Sequence, residues 1–179
     1  MKATDELRHE HQIILLVLGA AEREAQSLKD TGKVKAGKLE KFLDFFRVFV
    51  DRCHHGSEEK YLFPKLQEKD LASFGPPVQV MLHEHERGRQ LLQALAQVKG
   101  QDRAAAASLA AGLQAFASHL RSHIDKESNV LFSMADQVLT PEEQQELLDA
   151  FEKHEDQVVG PGVHAKYKQL AQELAEETR

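Results

Sequence analysis

Residues 54–63 read HHGSEEKYLF and residues 123–132 read HIDKESNVLF. Superposed, His54 falls on His123, Glu58 on Glu127, and Leu62-Phe63 on Leu131-Phe132. A histidine and a glutamate four residues apart share one helix face, so each stretch aims an imidazole and a carboxylate at one point. An earlier echo precedes each copy. RHEHQ at 8–12 answers LHEHE at 82–86 and pairs His11 with His85. The repeat predicts two half-sites, each one His plus one His-x-x-x-Glu, meeting between four helices.

Along the rest of the chain, strand signals are weak and helical periodicity is strong. The spacing predicts helices over about 5–30, 38–69, 77–100, 102–136, 141–157 and 163–177. Thr4 and Asp102 are expected N-caps, and Thr140-Pro141-Glu142-Glu143 reads as a capping box with proline at the first helical position. Pro64 suggests a break in the second helix. Ser73-Phe74-Gly75-Pro76-Pro77 reads as a loop leading into the third. Long elements with short links predict an all-α fold, an antiparallel up-down four-helix bundle over about 5–136. Two C-terminal helices over about 140–179 are expected to pack outside it, the whole forming one domain.

At about 100° per residue, helical faces can be assigned by arithmetic. Leu7, Ile14, Leu15 and Leu18 flank His11, while His9 points away. Val78, Met81, Leu82 and Leu92 flank His85, while His83 points away. Leu109, Phe116, Leu120, Val130, Leu131 and Met134 share a face with His123 and Glu127. On the second helix, Leu43, Val50 and Tyr61 lie near His54, whereas His55 and Glu59 are rotated about 100° further round. The metal-ligand set is therefore His11, His54, Glu58, His85, His123 and Glu127. Burying these groups unpartnered costs several kcal/mol for each charge, and a metal offsets that. Imidazole with carboxylate and no thiolate suits iron, manganese or zinc.

The bland readings weigh differently by residue. A lone His-x-x-x-Glu is usually a surface pair, but two aligned copies favour the metal. His9, His83, His154 and His164 are assigned to solvent or local hydrogen bonds. His55, Glu59 and His119 stay open between outer support of the ligands and surface. Tyr61 reads first as a core tyrosine and second as a phenol beside the metals. Cys53 reads as a buried inert thiol.

These residues resemble the hemerythrin-like, or HHE cation-binding, family. CHHGSEEKYLFP, MLHEHERGR and HIDKESNVLF are similar to a bacterial branch, and the resemblance covers about 5–136. It implies a four-helix bundle around two iron ions with an oxo or hydroxo bridge, the two glutamates bridging. It also implies a protein that binds, senses or detoxifies a small oxidant: oxygen, nitric oxide or peroxide. Oxygen-carrying members use His-x-x-x-His on helix 3 and His-x-x-x-x-Asp on helix 4. Here Arg89 stands where the second of those histidines falls, and Glu127 replaces the aspartate, so oxidised iron is favoured over reversible oxygen carriage. The cysteine-bearing N-terminal segment of iron-sulfur-repair relatives is not found ahead of the repeat.

Composition narrows the classes. A net charge of −6 over 179 residues leaves no basic footprint for nucleic acid. One cysteine fits a reducing compartment. The longest apolar run, 13–21, is too short to span a bilayer. The expectation is a cytoplasmic protein with a small diatomic or peroxide ligand, no nucleic acid and no membrane. An enzyme with peroxidase-like or nitric-oxide-reducing activity is the alternative. A third reading is a partner-binding module reporting metal state through Phe151 and Tyr167.

Overall fold

The computed structural model describes residues 1–178, and it is all-helical, with no strand among them. We number six helical runs: α1 (Ala3–Thr31), α2 (36–69), α3 (Leu71–Gln97), α4 (103–138), α5 (Pro141–Val158) and α6 (Val163–Glu177). No helix among the described residues is long and apolar enough to cross a membrane.

Local chemistry sets the boundaries. Asp102 caps α4 by accepting from the Ala105 amide at 2.8 Å. The Thr140–Glu143 capping box opens α5, with both reciprocal bonds made. Three expectations are overturned. Thr4 is not a cap: α1 begins at Ala3, and the Thr4 hydroxyl instead donates to Asp136 at 2.6 Å. Helix α3 begins six residues before Pro77. Asp70 accepts from the Ala72 and Ser73 amides, and buried Phe74 anchors that turn, so helix runs through both prolines. Helix α2 does not break at Pro64, because a π-helical turn precedes it.

That π-helical character is the main departure from regular periodicity. Segments Phe46–His55 and Glu58–Leu62 of α2, and Glu127–Leu131 of α4, are wound with hydrogen bonds to the fifth residue back. Both repeat copies carry the feature at the same place, starting at Glu58 and at Glu127. Each extra residue per turn shifts the phase of the residues beyond it. Val130, expected inward, is 54% exposed. Tyr61, expected beside His54, turns to α5 and packs against Phe151 and His154 with ring centroids 6.5 and 5.7 Å away.

Two apolar clusters bracket a polar layer. One contains Ile14, Phe46, Leu92, Leu113 and Phe116, and the other Leu7, Phe63, Val78, Leu131 and Phe132. Along α1 and α3 the second cluster comes first, then the polar layer, then the first cluster; along α2 and α4 the order is reversed.

The C-terminal helices pack on the bundle and add Leu147, Phe151, Tyr167 and Leu174 to its apolar clusters. Phe151 and Tyr167 are buried, so neither presents a docking surface. The Tyr167 hydroxyl donates to Asp44 at 3.0 Å. His154, expected in solvent or locally bonded, is buried and donates from Nε2 to the Arg52 carbonyl of α2 at 2.9 Å. Gly56 permits this approach, since a Cβ there would lie 2.5 Å from His154 Nε2.

Candidate metal centre

All six residues singled out by the repeat are buried in the polar layer between the apolar clusters. With His55 they form two overlapping groups. His11, His54, Glu58 and Glu127 make one end; His55, Glu58, His85 and His123 make the other. Within each group one potential ligand atom per residue lies within 4.8 Å of the rest. Glu58 belongs to both, with Oε1 3.6 Å from His54 Nε2 and Oε2 3.4 Å from His85 Nε2. Glu127 also reaches both ends, lying 3.4 Å from His11, 3.1 Å from His123 and 3.8 Å from His85.

Four of these imidazoles are aimed from behind. His54 Nδ1 lies 2.7 Å from Glu10, and His123 Nδ1 lies 3.0 Å from Glu84. His85 Nδ1 lies 2.8 Å from Glu59, and His11 Nδ1 lies 2.8 Å from the Ser128 hydroxyl. A carboxylate only accepts, so Nδ1 of His54, His85 and His123 donates and Nε2 faces inward. These supports obey the repeat. Glu10 and Glu84 are counterparts, as are Glu59 and Ser128. So are Phe132 and Phe63, which stack on the rings of His11 and His85.

The interior lacks polar partners of its own. Both oxygens of Glu58 and of Glu127 are without a hydrogen bond among the described residues. Facing Nε2 atoms approach to 2.9 Å between His11 and His54 and to 3.1 Å between His85 and His123. Orphaned buried carboxylates are costly. Imidazole nitrogens converging around two of them make a donor set that fits cations.

Titration mirrors the same layout. Burial pulls His85 down, but Glu127, Glu58 and Glu59 outweigh it and hold its pKa at about 11. Burial likewise opposes His123, and Glu127 with Glu84 raises it to about 9. For His11, burial wins and the pKa falls. Burial opposes charge on Glu127, yet His123, His11 and His85 hold it well below the usual carboxylate range. The hydrogen bond from His123 lowers Glu84 most, to about 2.

His55 is the residue that sequence reasoning left open. It is 5% exposed, and neither ring nitrogen has a hydrogen-bond partner among the described residues. Its ring stacks on His85, centroids 3.8 Å apart. Burial, then the imidazoles of His85 and His123, push its pKa well below the ordinary value, which leaves it neutral. The π turn brings His54 and His55 inward together, where an ideal helix separates them by about 100°. Glu59 is settled as the support for His85. His119 donates to the Glu84 carbonyl at 2.8 Å and holds backbone. Glu10 and Glu84 were missed, although the shared His-Glu-His of the echo marked them. Cys53 is buried, which pushes its thiol up to about 12.

The model of the hemerythrin HHE cation binding domain matches residues 2–135. The chain belongs to this family. An uncharacterized protein of Mycobacterium tuberculosis is 26% identical over 161 residues, covering 86% of this chain and 61% of the relative. The iron-sulfur cluster repair protein YtfE of Edwardsiella ictaluri is 31% identical over 134 residues, covering 72% and 59%. The chain thus spans about three fifths of the length of these curated relatives. No solved structure matches it. In this HHE chain the helix-3 position that holds a second histidine in oxygen carriers is Arg89, which binds Asp51 and Glu59 instead. An imidazole, His55, arrives at that end from α2.

Proposed function

We propose that the interior holds two iron ions and that the protein binds, senses or detoxifies a small oxidant. The observation that carries this reading is the burial of Glu58 and Glu127 at 0% exposure, unbonded among the described residues, each between imidazoles of both repeat copies. His11 and His54 would hold one iron, and His85, His123 and His55 the other, with the two glutamates spanning them. The reading includes an antiparallel up-down bundle, supported by the alternating order in which the four helices cross the apolar clusters. Bound iron supplies redox exchange and positions for an outside ligand.

The protein's own residues shape what reaches it. Glu10, Glu84 and Glu59 fix the tautomer of three imidazoles, and together with Ser128 they fix the direction of four. A slot of about 10 Å³ opens at the His55 end; Asp51, Glu84, Arg89 and His119 help to line it, but most of the surface it presents is apolar, from Val50, Gly88, Leu92, Phe116 and Leu120. That is room for about one water-sized molecule. Its apolar wall favours an uncharged diatomic ligand, oxygen or nitric oxide, over an ion.

Anaerobic purification with metal analysis tests the reading. About two irons per chain are expected, with a new absorption band on admitting air. His54→Ala and Glu127→Ala should each lose metal; retention of both irons in both variants overturns the proposal. Steady-state turnover of nitric oxide or peroxide separates a catalyst from a sensor. The YtfE relative supports a second reading, donation of iron for cluster repair, which iron transfer to a cluster-free acceptor protein would reveal.

A further inference from the structure

We propose a third, weaker divalent-cation site outside the centre, formed by Glu6, Glu10 and His164, which loads ferrous iron toward His54. The proposal rests on the metal reading above only for the identity of the cation's destination.

The three groups offer ligand atoms within 4.8 Å of one another. They lie outside the bundle interior, where the first turn of α6 meets α1. Glu10 joins the two regions. Its side chain is 9% exposed; one oxygen, Oε2, holds His54 Nδ1 at 2.7 Å. The other, Oε1, has no hydrogen bond among the described residues and stands 3.8 Å from His164 Nδ1. His164 is held by its ring against Phe49, centroids 5.1 Å apart. Its Nδ1 lies 2.9 Å from Glu155 Oε2 but off the line of a hydrogen bond, and Nε2 has no partner among the described residues. Two carboxylates and an imidazole with unused electron pairs are hard-to-borderline donors, suited to a divalent first-row metal.

A cavity of about 290 Å³ leads from solvent to Glu6 and Glu10 of this group. Glu6, Glu10, Asp149, Glu152 and Glu155 line it, and among the described residues no lysine or arginine does. A concave wall of one sign focuses the field and concentrates cations at its floor. Glu10 sits on that floor with its back to the centre. A cation held by Glu10 is therefore one side chain from the imidazole that would receive it. The opposite end has the apolar slot, so metal and gaseous ligand have separate approaches.

The test uses the full chain, metal-free and anaerobic. Titration with Co(II) should show a third, weaker equivalent in the wild type. The double variant Glu6→Gln/His164→Ala should lose that equivalent and keep the two interior ones. Stopped-flow loading with ferrous iron should be about tenfold slower in the variant, and wild-type loading should slow with added salt. Thermal melting of the metal-free variant checks that it is folded, and the single variant Glu6→Gln provides a reading if the double one is not. Two equivalents in the wild type with equal loading rates overturn the proposal. So does a third equivalent that survives in the variant. Should the interior bind nothing, the function proposed above fails by itself; a lone weak equivalent lost in the variant would still support this site.

Discussion

The two copies of the repeat are alike where they face inward and unlike where they face outward. Inside, His11 matches His85, His54 matches His123 and Glu58 matches Glu127, and each of these imidazoles has a matched support. Outside, the first copy is roofed by α5, with Gly56 under His154 and Tyr61 against Phe151. The second copy has exposed Asp125 and Val130 at the corresponding positions. The inner match also fails once: His55 stands against Ile124, which is packed in the apolar core. Symmetric donors thus sit in asymmetric surroundings. Three imidazoles gather at one end and two at the other, and the acidic cavity and apolar slot open at different ends.

Substitutions probe how separate the two ends are. The largest effect is expected from Glu58→Ala, since this carboxylate belongs to both groups: both metals should be lost on elemental analysis. His11→Ala, confined to one end, should lose one metal and keep the other. The outer carboxylates come next. Glu10→Gln and Glu84→Gln should each weaken metal binding by about 10–100-fold, each at its own end, read by competition with a chelator. Equal effects of Glu10→Gln on both metals would show that the ends are not separable.

Proton linkage adds a second contrast in the metal-free protein. His123 and His85 have folded pKa values raised to about 9 and about 11 from an unfolded value near 6.5. Their contribution to stability is complete below about pH 6.5 and is lost as pH rises through those folded values. Glu127 is lowered, so its contribution is present above about pH 4.5 and lost in acid. The urea midpoint of metal-free protein should therefore fall between about pH 6.5 and 9. Over the same range metal affinity should rise, because cations displace those protons. A midpoint that stays flat would show that His123 is not charged in the metal-free fold.

Smaller effects test the roof. Gly56→Ala forces His154 aside and should cost about 1–3 kcal/mol by thermal melting. Gly37→Ala, with no atom within 4 Å of the added Cβ, should stabilise by about 0.4–1 kcal/mol. Val130→Ser should stay within about 0.5 kcal/mol. If Gly56→Ala matches Gly37→Ala, α5 is not docked as described.

Much of this was legible in the residues. The repeat named six residues that the fold brings together, and capping chemistry placed the starts of α4 and α5. The start of α3 was missed because Asp70 and Phe74 nucleate helix ahead of two prolines that ordinarily signal a turn. Tyr61 and Val130 were misplaced and His55 was left open for one reason: regular helical periodicity was carried through π-wound segments.

Chemical identity and spacing, which are linear properties, determined the donors, their helices and their pairing across the repeat. Tertiary structure alone decided which way the π turns rotate the side chains around them and which copy is covered. It also placed Glu10, Glu59, Glu84 and Ser128 behind imidazoles on neighbouring helices. Those outcomes depend on packing between segments distant in the chain, and no local periodicity encodes that.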